Sequence, residues 1–179
     1  MSKASLQKEL ITFTGEQLVE VILNLYSASK EAKEYLEFFL NPDANALLDK
    51  KVDIIAKEIS RAKRGYCRAR ISRIRAELKE YEAYGIPAEL VAKLMYFTIR
   101  MLIGQSRYFR YTDTLQNGTL KLTHDYICYA NKNGFAAEAL QNMQLTVNEA
   151  GLGLSAFRTR VKNAVEQTVA ELSLSYSSR

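Results

Sequence analysis

The sequence contains very few of the residues that catalytic, metal and disulfide sites require. Its 179 residues include one histidine, two cysteines and no tryptophan. A histidine-rich metal site, a network of catalytic histidines and a disulfide framework are therefore nearly excluded by number. Proline and glycine are also scarce, with two and eight residues, and this scarcity argues against an all-β protein with many turns.

Long apolar runs and a secretory signal are missing as well. The most apolar stretch, residues 94–103, contains Arg100 and is far shorter than the roughly 20 residues of a membrane span. The first ten residues lack the apolar segment of a signal peptide. We therefore expect a cytoplasmic protein without a membrane partner, in which Cys67 and Cys128 are reduced thiols. No phosphate-binding glycine loop or metal-ligand spacing occurs, so no cofactor or metal is expected.

Apolar residues recur with a helical period along most of the chain. Thr14 and Gln17 form a capping-box pattern, and the apolar stripe that follows predicts one helix of about six turns, ending at Asn41-Pro42. The same reasoning predicts a largely irregular segment over 104–119 and no strand. Further helices are predicted over 44–62, 68–84, 87–102, 120–133, 136–149 and 155–172.

These patterns predict an all-α fold of six or seven helices, stacked as antiparallel helical hairpins in a HEAT-like array or an irregular bundle. We expect one domain over residues 1–172 and a frayed tail over residues 173–179. Residues 85–89 and 134–138 share a Gly-led pattern at an offset of 49 positions, which favours a repeated hairpin. The alternative is that any two helical hairpins share apolar spacing and a terminal glycine.

Positive charge is concentrated in one part of the chain. Residues 61–112 contain 12 Lys/Arg and 4 Asp/Glu, whereas residues 1–60 contain 7 and 10. Residues 113–179 contain six of each. Charge asymmetry of this kind indicates an anionic partner.

The densest basic cluster lies on and just before a predicted helix. Arginine suits phosphate because its planar group donates two parallel hydrogen bonds. The alternative is a solvated helix whose arginines pair with acids, which the first 60 residues could supply. The candidate anion-, nucleic-acid- or partner-binding residues are Arg61, Lys63, Arg64, Arg68, Arg70, Arg73, Arg75 and Lys79.

A second basic segment alternates arginines with aromatic residues over positions 107–111. This alternation is typical of proteins that stack on single-stranded nucleic acid and neutralise its backbone. The alternative is that the rings pack inward while the arginines face water. The candidate residues are Arg107, Tyr108, Arg110 and Tyr111. We expect both basic segments on one face, and a structure that separated them would exclude a shared site.

The first hundred residues contain a series of short motifs: Ser2-Lys3, Lys8-Glu9-Leu10, Thr14-Gly15-Glu16-Gln17-Leu18, Leu23-Asn24-Leu25-Tyr26, Lys33-Glu34-Tyr35, Asn41-Pro42 and Arg64-Gly65. In these motifs the sequence resembles a family of uncharacterised bacterial proteins known as domain of unknown function 6155. The family has no known activity, so the resemblance implies an all-helical bacterial protein and no mechanism.

We interpret the chain as a non-enzymatic protein-interaction module with a basic face, whose partner is a protein. Eleven tyrosines against seven phenylalanines favour an interface, because tyrosine buries area and keeps a polar end. The alternative is a nucleic-acid-binding protein that uses the basic helix Arg61–Lys79. A third interpretation, with no catalytic residue assigned, is a small enzyme whose pocket of acids and arginines leaves no sequence pattern.

Overall fold

Helices dominate the structure, a computed structural model that describes residues 1–149 and 151–177. A short two-stranded hairpin, β1 (Ala62–Lys63) and β2 (Tyr66–Cys67), separates the fourth and fifth helices. The all-α fold class is confirmed, with nine helices in the described residues rather than six or seven. Their bounds are α1 Lys3–Ile11, α2 Gly15–Ala28, α3 Lys30–Leu40, α4 Ala44–Ile59, α5 Ile71–Ala83, α6 Ala88–Gln105, α7 Asp113–Lys132, α8 Ala136–Asn148 and α9 Ser155–Ser177.

The helices group into two compact units, Met1–Asp43 and Ala44–Arg179. We call the first the N-terminal unit and the second the helical body. The single domain expected over residues 1–172 stays a prediction. Within the described residues, no helix is long and apolar enough to cross a membrane.

The N-terminal unit contains two helices where the apolar stripe predicts one. The capping box forms as expected, because Thr14 Oγ1 accepts from Gln17 N at 3.2 Å and Gln17 Oε1 accepts from Thr14 N at 2.9 Å. Ser29 then interrupts the helix with an extended backbone and caps α3 by accepting from Ala32 N. Serine competes with helical hydrogen bonds in this way, so α2 and α3 form a hairpin.

The helical body has a conventional apolar core. Helix α6 packs against α4, α5 and α7, and α7 also packs against α8 and α9. Helix α6 has eight buried residues, in agreement with its few charges. Fully buried side chains come from helices on both sides of it, and they include Ile55, Ile59, Ile74, Tyr81, Leu94, Ile99, Leu102, Ile127, Met143 and Val161.

Three boundaries in the helical body differ from the sequence expectation. Helix α5 starts at Ile71 rather than at residue 68, because the β-hairpin occupies the preceding positions. The irregular segment is confined to residues 106–112, since Thr112 Oγ1 caps α7 by accepting from Leu115 N at 3.3 Å. Helix α9 extends to Ser177, into the tail expected to fray, and residues 178–179 lie outside the described residues.

The loop that precedes α9 is attached to the end of α6. Ser106 Oγ donates to the Ile103 carbonyl at 2.6 Å and accepts from Leu154 N at 3.0 Å. Gly153 has a φ of 68°, and a Cβ there would overlap the Ile103 carbonyl oxygen. This position therefore requires glycine both for its backbone angle and for the close approach.

Candidate functional site

The β-hairpin joins the two basic segments predicted from the sequence. Its turn, Arg64-Gly65, has φ values of 53° and 78°, the left-handed pair that a two-residue type I′ turn requires. Arg110 N donates to the Gly65 carbonyl at 2.9 Å, and Cys67 N donates to the Arg110 carbonyl at 3.0 Å. Residues 61–70 and 110 therefore lie side by side on one surface.

Glu58 holds three of the predicted arginines. Its carboxylate is 5% exposed and accepts from Arg61 at 2.9 Å and from Arg70 Nε at 3.0 Å, with Arg73 at 3.7 Å. The Arg70 backbone N–H also donates to it at 2.9 Å. Hydrogen bonds from Arg70, outweighing the effect of burial, lower the pKa of Glu58 from 4.5 to about 2. The single carboxylate thus restrains the three arginine side chains and offsets one of their three positive charges.

Other predicted residues lie away from the hairpin. Arg75 pairs with Asp125 on α7 at 2.6 Å, and Lys79 borders a small cavity between α5 and α7. Tyr111 donates to the Leu102 carbonyl at 2.5 Å, and burial raises its pKa above the ordinary value. Arg107 and Tyr108 line a separate cleft beside α6. The prediction of one shared surface therefore holds for only part of the set.

Four predicted cations remain available at the hairpin. Lys63, Arg64, Arg68 and Arg110 are exposed, and in the described part of the chain none of them forms an ion pair. The Arg68 guanidinium lies 5.9 Å from the centre of the Tyr66 ring, a cation–π arrangement. We call Lys63, Arg64, Tyr66, Arg68 and Arg110 the basic hairpin surface. Its chemistry suits a polyanion.

The N-terminal unit is a second candidate surface, which the sequence analysis did not single out. Residues 1–43, all of which the structure describes, include no buried residue. They supply 12 of the 16 large hydrophobic side chains that are exposed among the described residues. The signal in the sequence is that α2 is apolar around most of its circumference: Val19, Val21, Ile22, Leu23 and Leu25 are all exposed.

One of the two thiols lies beside the single histidine, which two acids, Asp125 and Glu171, also approach. Cys67 is buried and lies 3.5 Å from the Ile59 carbonyl. Cys128 lies 3.7 Å from His124 Nε2, and burial raises the pKa of its thiol. His124 and Asp125 do approach to 3.5 Å, although adjacent helical residues normally diverge. No three His, Cys, Asp or Glu residues of the described part of the chain could hold a metal ion.

The fold and these surfaces define an all-helical protein with a basic hairpin surface and an exposed apolar N-terminal unit. The model of the family of unknown function DUF6155 matches residues 1–171, so the chain belongs to this family. The match extends well beyond the first hundred residues that carry the resemblance. Neither a search of curated proteins nor a search of solved structures found a match.

Proposed function

We propose that the protein is a non-enzymatic interaction module that associates with a second copy of itself through the N-terminal unit. The observation that carries this proposal is the concentration of exposed apolar side chains in residues 1–43. Monomeric proteins rarely expose apolar patches larger than a few hundred Å², and 12 exposed large apolar side chains within 43 residues favour a patch of that size. The sequence analysis predicts a protein-binding module without naming its partner, and the self-association identifies that partner as a second copy of the chain.

A second copy suits this surface because two helical hairpins complete a four-helix bundle. Within the N-terminal unit, α2 packs against α3, and a two-helix hairpin encloses no core of its own. Twelve large side chains, which are between 39% and 93% exposed, offer on the order of 600 Å². A stable interface takes about 800 Å² from each partner, including its polar rim. The same apolar face on both copies gives a symmetric contact.

Sedimentation velocity on the wild type and two matched variants tests the self-association. Leu25→Glu places a charge on the exposed face of α2, and Leu145→Glu makes the same change at a leucine of α8 that is 61% exposed. We expect the wild type and Leu145→Glu to dimerise at micromolar concentration and Leu25→Glu to stay monomeric. A monomeric wild type, or equal dimerisation of both variants, would contradict the proposal.

A second candidate function is binding of single-stranded nucleic acid at the basic hairpin surface. Four exposed cations that form no ion pair in the described residues lie on or beside the hairpin that carries the exposed Tyr66, and the Arg68 guanidinium lies 5.9 Å from its ring. This arrangement supports backbone neutralisation together with base stacking. Four phosphate contacts predict that affinity falls roughly fiftyfold between about 50 and 200 mM salt.

Fluorescence anisotropy with labelled single-stranded DNA and RNA distinguishes this candidate. One variant changes Lys63, Arg64, Arg68 and Arg110 to Gln, and its control changes Lys93, Lys121, Lys132 and Lys162, which are also exposed. Loss of binding in the first variant alone would support the candidate. Absence of binding by the wild type at low salt would exclude it, and equal loss in both variants would contradict the assigned site.

We propose further that α5–α6 and α7–α8 are two copies of one hairpin in a HEAT-like arrangement. Gly85 and Gly134 follow α5 and α7 at equivalent positions, with φ values of 72° and 88°. Helix α6 packs against α7, and α5 also contacts α7, as stacked repeats would. A structure of a second family member with an inserted hairpin in the same register would support this relation.

The proposed location is the cytoplasm, with both thiols reduced. Cys67 and Cys128 are free in the structure, and Cys67 is buried. Alkylation of the protein in intact cells, followed by mass spectrometry, tests this location, because only reduced thiols are alkylated. Cys128 is half-buried, so its alkylation is expected to be slow. A disulfide-linked form isolated from cells would contradict it.

A further inference from the structure

A cleft of about 600 Å³ runs along α6, between this helix and the segment Gly151–Leu152. Its lining is mostly apolar, with Phe97, Met101 and Leu152 half-buried along its length. Small-molecule sites typically enclose 300–1,000 Å³ and combine an apolar lining with a few polar groups. The cleft therefore has the size and composition of a ligand site.

Three cations border the cleft, and their charges are not equally available. Arg100 pairs with Glu149 at 2.8 Å, so its charge is offset. Arg107 instead donates to the Gly151 carbonyl at 2.9 Å, which is a neutral acceptor that leaves its positive charge in place. In the described residues, neither Arg107 nor Lys93 forms an ion pair with an acid. The carboxylate of Glu149 also disfavours an anion beside Arg100.

The wall that holds Arg107 is fixed by the surrounding loop. A Cβ at Gly151 would lie 3.1 Å from Arg107 Nη1, so a larger residue would displace the guanidinium. The next residues are attached to α6 through Ser106 and Gly153. The guanidinium is therefore held at one end of the cleft with unused N–H donors, which suits a carboxylate.

We propose that this cleft binds an amphipathic organic acid. The carboxylate pairs with Arg107, and the apolar body lies along Phe97 and Met101 toward Lys93. Residues 93–104 of α6 extend over roughly 16 Å, so the cleft accommodates a medium-length chain. Binding combines one charge-assisted contact with burial of an apolar chain, and each part is separately testable.

Isothermal titration with decanoate, below the concentration at which it forms micelles, tests the proposal on the full chain. Arg107→Gln is expected to weaken decanoate binding by roughly tenfold or more. Arg110→Gln removes the same charge three residues away, on the basic hairpin surface, and is expected to leave binding unchanged. Decan-1-ol, which lacks the carboxylate, is expected to bind the wild type more weakly and to be insensitive to Arg107→Gln.

Further variants locate the apolar body and separate this site from the N-terminal unit. Met101→Glu introduces a carboxylate into the cleft and is expected to abolish decanoate binding. Leu25→Glu, which disrupts the proposed dimer surface, is expected to leave it unchanged. Circular dichroism confirms that each variant is folded. Absence of decanoate binding, equal effects of Arg107→Gln and Arg110→Gln, or loss in Leu25→Glu would each overturn the proposal.

Discussion

Ile22 and Ile99 are both helical isoleucines, but their environments differ completely. Ile22 on α2 is 46% exposed, whereas Ile99 on α6 is fully buried. The helices of the N-terminal unit are specified by local features, such as the Thr14 capping box and the Ser29 cap. The helices of the body are specified by packing around a shared core.

The comparison shows that local capping contacts are enough to form a helix, whereas burial in a core supplies most of its stability. Caps and side-chain pairs contribute about 1 kcal/mol or less each. A buried aliphatic side chain contributes several times as much. We therefore expect the apolar residues of the N-terminal unit to serve association more than folding, and those of the body to serve folding.

The largest contrast is expected between Ile99→Ala and Ile22→Ala. Removing the buried side chain of Ile99 leaves a cavity and is expected to lower the free energy of unfolding by about 2–5 kcal/mol. The same truncation at the exposed Ile22 is expected to change it by less than about 0.5 kcal/mol. Urea unfolding of both variants, at a protein concentration too low for dimers, measures the difference. Equal losses would refute the contrast.

Hydrogen exchange during the same unfolding experiment tests the domain organisation. The single domain expected over residues 1–172 predicts that amides of α2 and α6 lose protection at the same urea concentration. If α2 loses protection at a lower concentration, the single-domain prediction is wrong. Higher protein concentration should then protect α2 selectively, since the proposed dimer buries that helix.

Glu58→Gln is expected to produce the next largest loss, about 2 kcal/mol at neutral pH. The value lies below the loss for a fully buried pair, because Arg61, Arg70 and Arg73 are each about half exposed. The lowered pKa of Glu58 means that its contribution is complete above its ordinary pKa of 4.5 and is lost as the pH falls toward 2.

The pH dependence of stability isolates this contribution. Between about pH 4.5 and 2, wild-type stability is expected to fall more steeply than that of Glu58→Gln. The control variant is Glu34→Gln, which makes the same change at a carboxylate of the N-terminal unit, and its stability is measured over the same pH range. A parallel decline of wild type and Glu58→Gln would show that the arginine contacts contribute nothing.

Two helix caps allow the N-terminal unit and the body to be compared through smaller changes in stability. Thr14 caps α2 and Thr112 caps α7 through the same hydroxyl contact. Each Thr→Ala change is expected to cost about 1 kcal/mol locally. Thr112→Ala should lower the global free energy of unfolding. If the N-terminal unit unfolds separately from the body, Thr14→Ala should only accelerate hydrogen exchange in α2. A global loss in Thr14→Ala would indicate that the N-terminal unit and the body unfold together.

The smallest effect is expected for Arg75→Gln. Its ion pair with Asp125 is short but partly exposed, with side chains 28% and 36% accessible. Pairs of this kind contribute about 0.2–1 kcal/mol and are screened by salt. Thermal melts in low and high salt should show a small difference from wild type that disappears at high salt. A difference that persists at high salt would require a packing role for the arginine stem.

Sequence periodicity predicts most helices of the body, because their apolar residues face one core. The predicted helices over 44–62 and 136–149 match α4 and α8 closely. The break at Ser29 escapes prediction because the apolar spacing continues across it while a single hydroxyl redirects the backbone. Helix α1 also escapes prediction, since it has no apolar stripe and no buried residue.

The β-hairpin shows why part of the candidate site is also unpredictable. The six residues of the hairpin, 62–67, contain no alternating pattern, and Gly65 is equally compatible with a helix terminus. The proximity of residues 61–70 and 110 was predicted, and the hairpin explains it. The pairing of Arg61, Arg70 and Arg73 depends on one carboxylate, and no spacing rule identifies Glu58 among the ten acids of the first 60 residues.

Because three arginines cluster on Glu58, the stability of the protein and its affinity for polyanions change in opposite directions at this position. With Glu58 ionised, the three arginines are restrained and one of their positive charges is offset. In Glu58→Gln, the same side chains are released beside the four cations of the basic hairpin surface. A single substitution would thus make the protein less stable and more attractive to polyanions. Selection for one property at this position necessarily acts against the other.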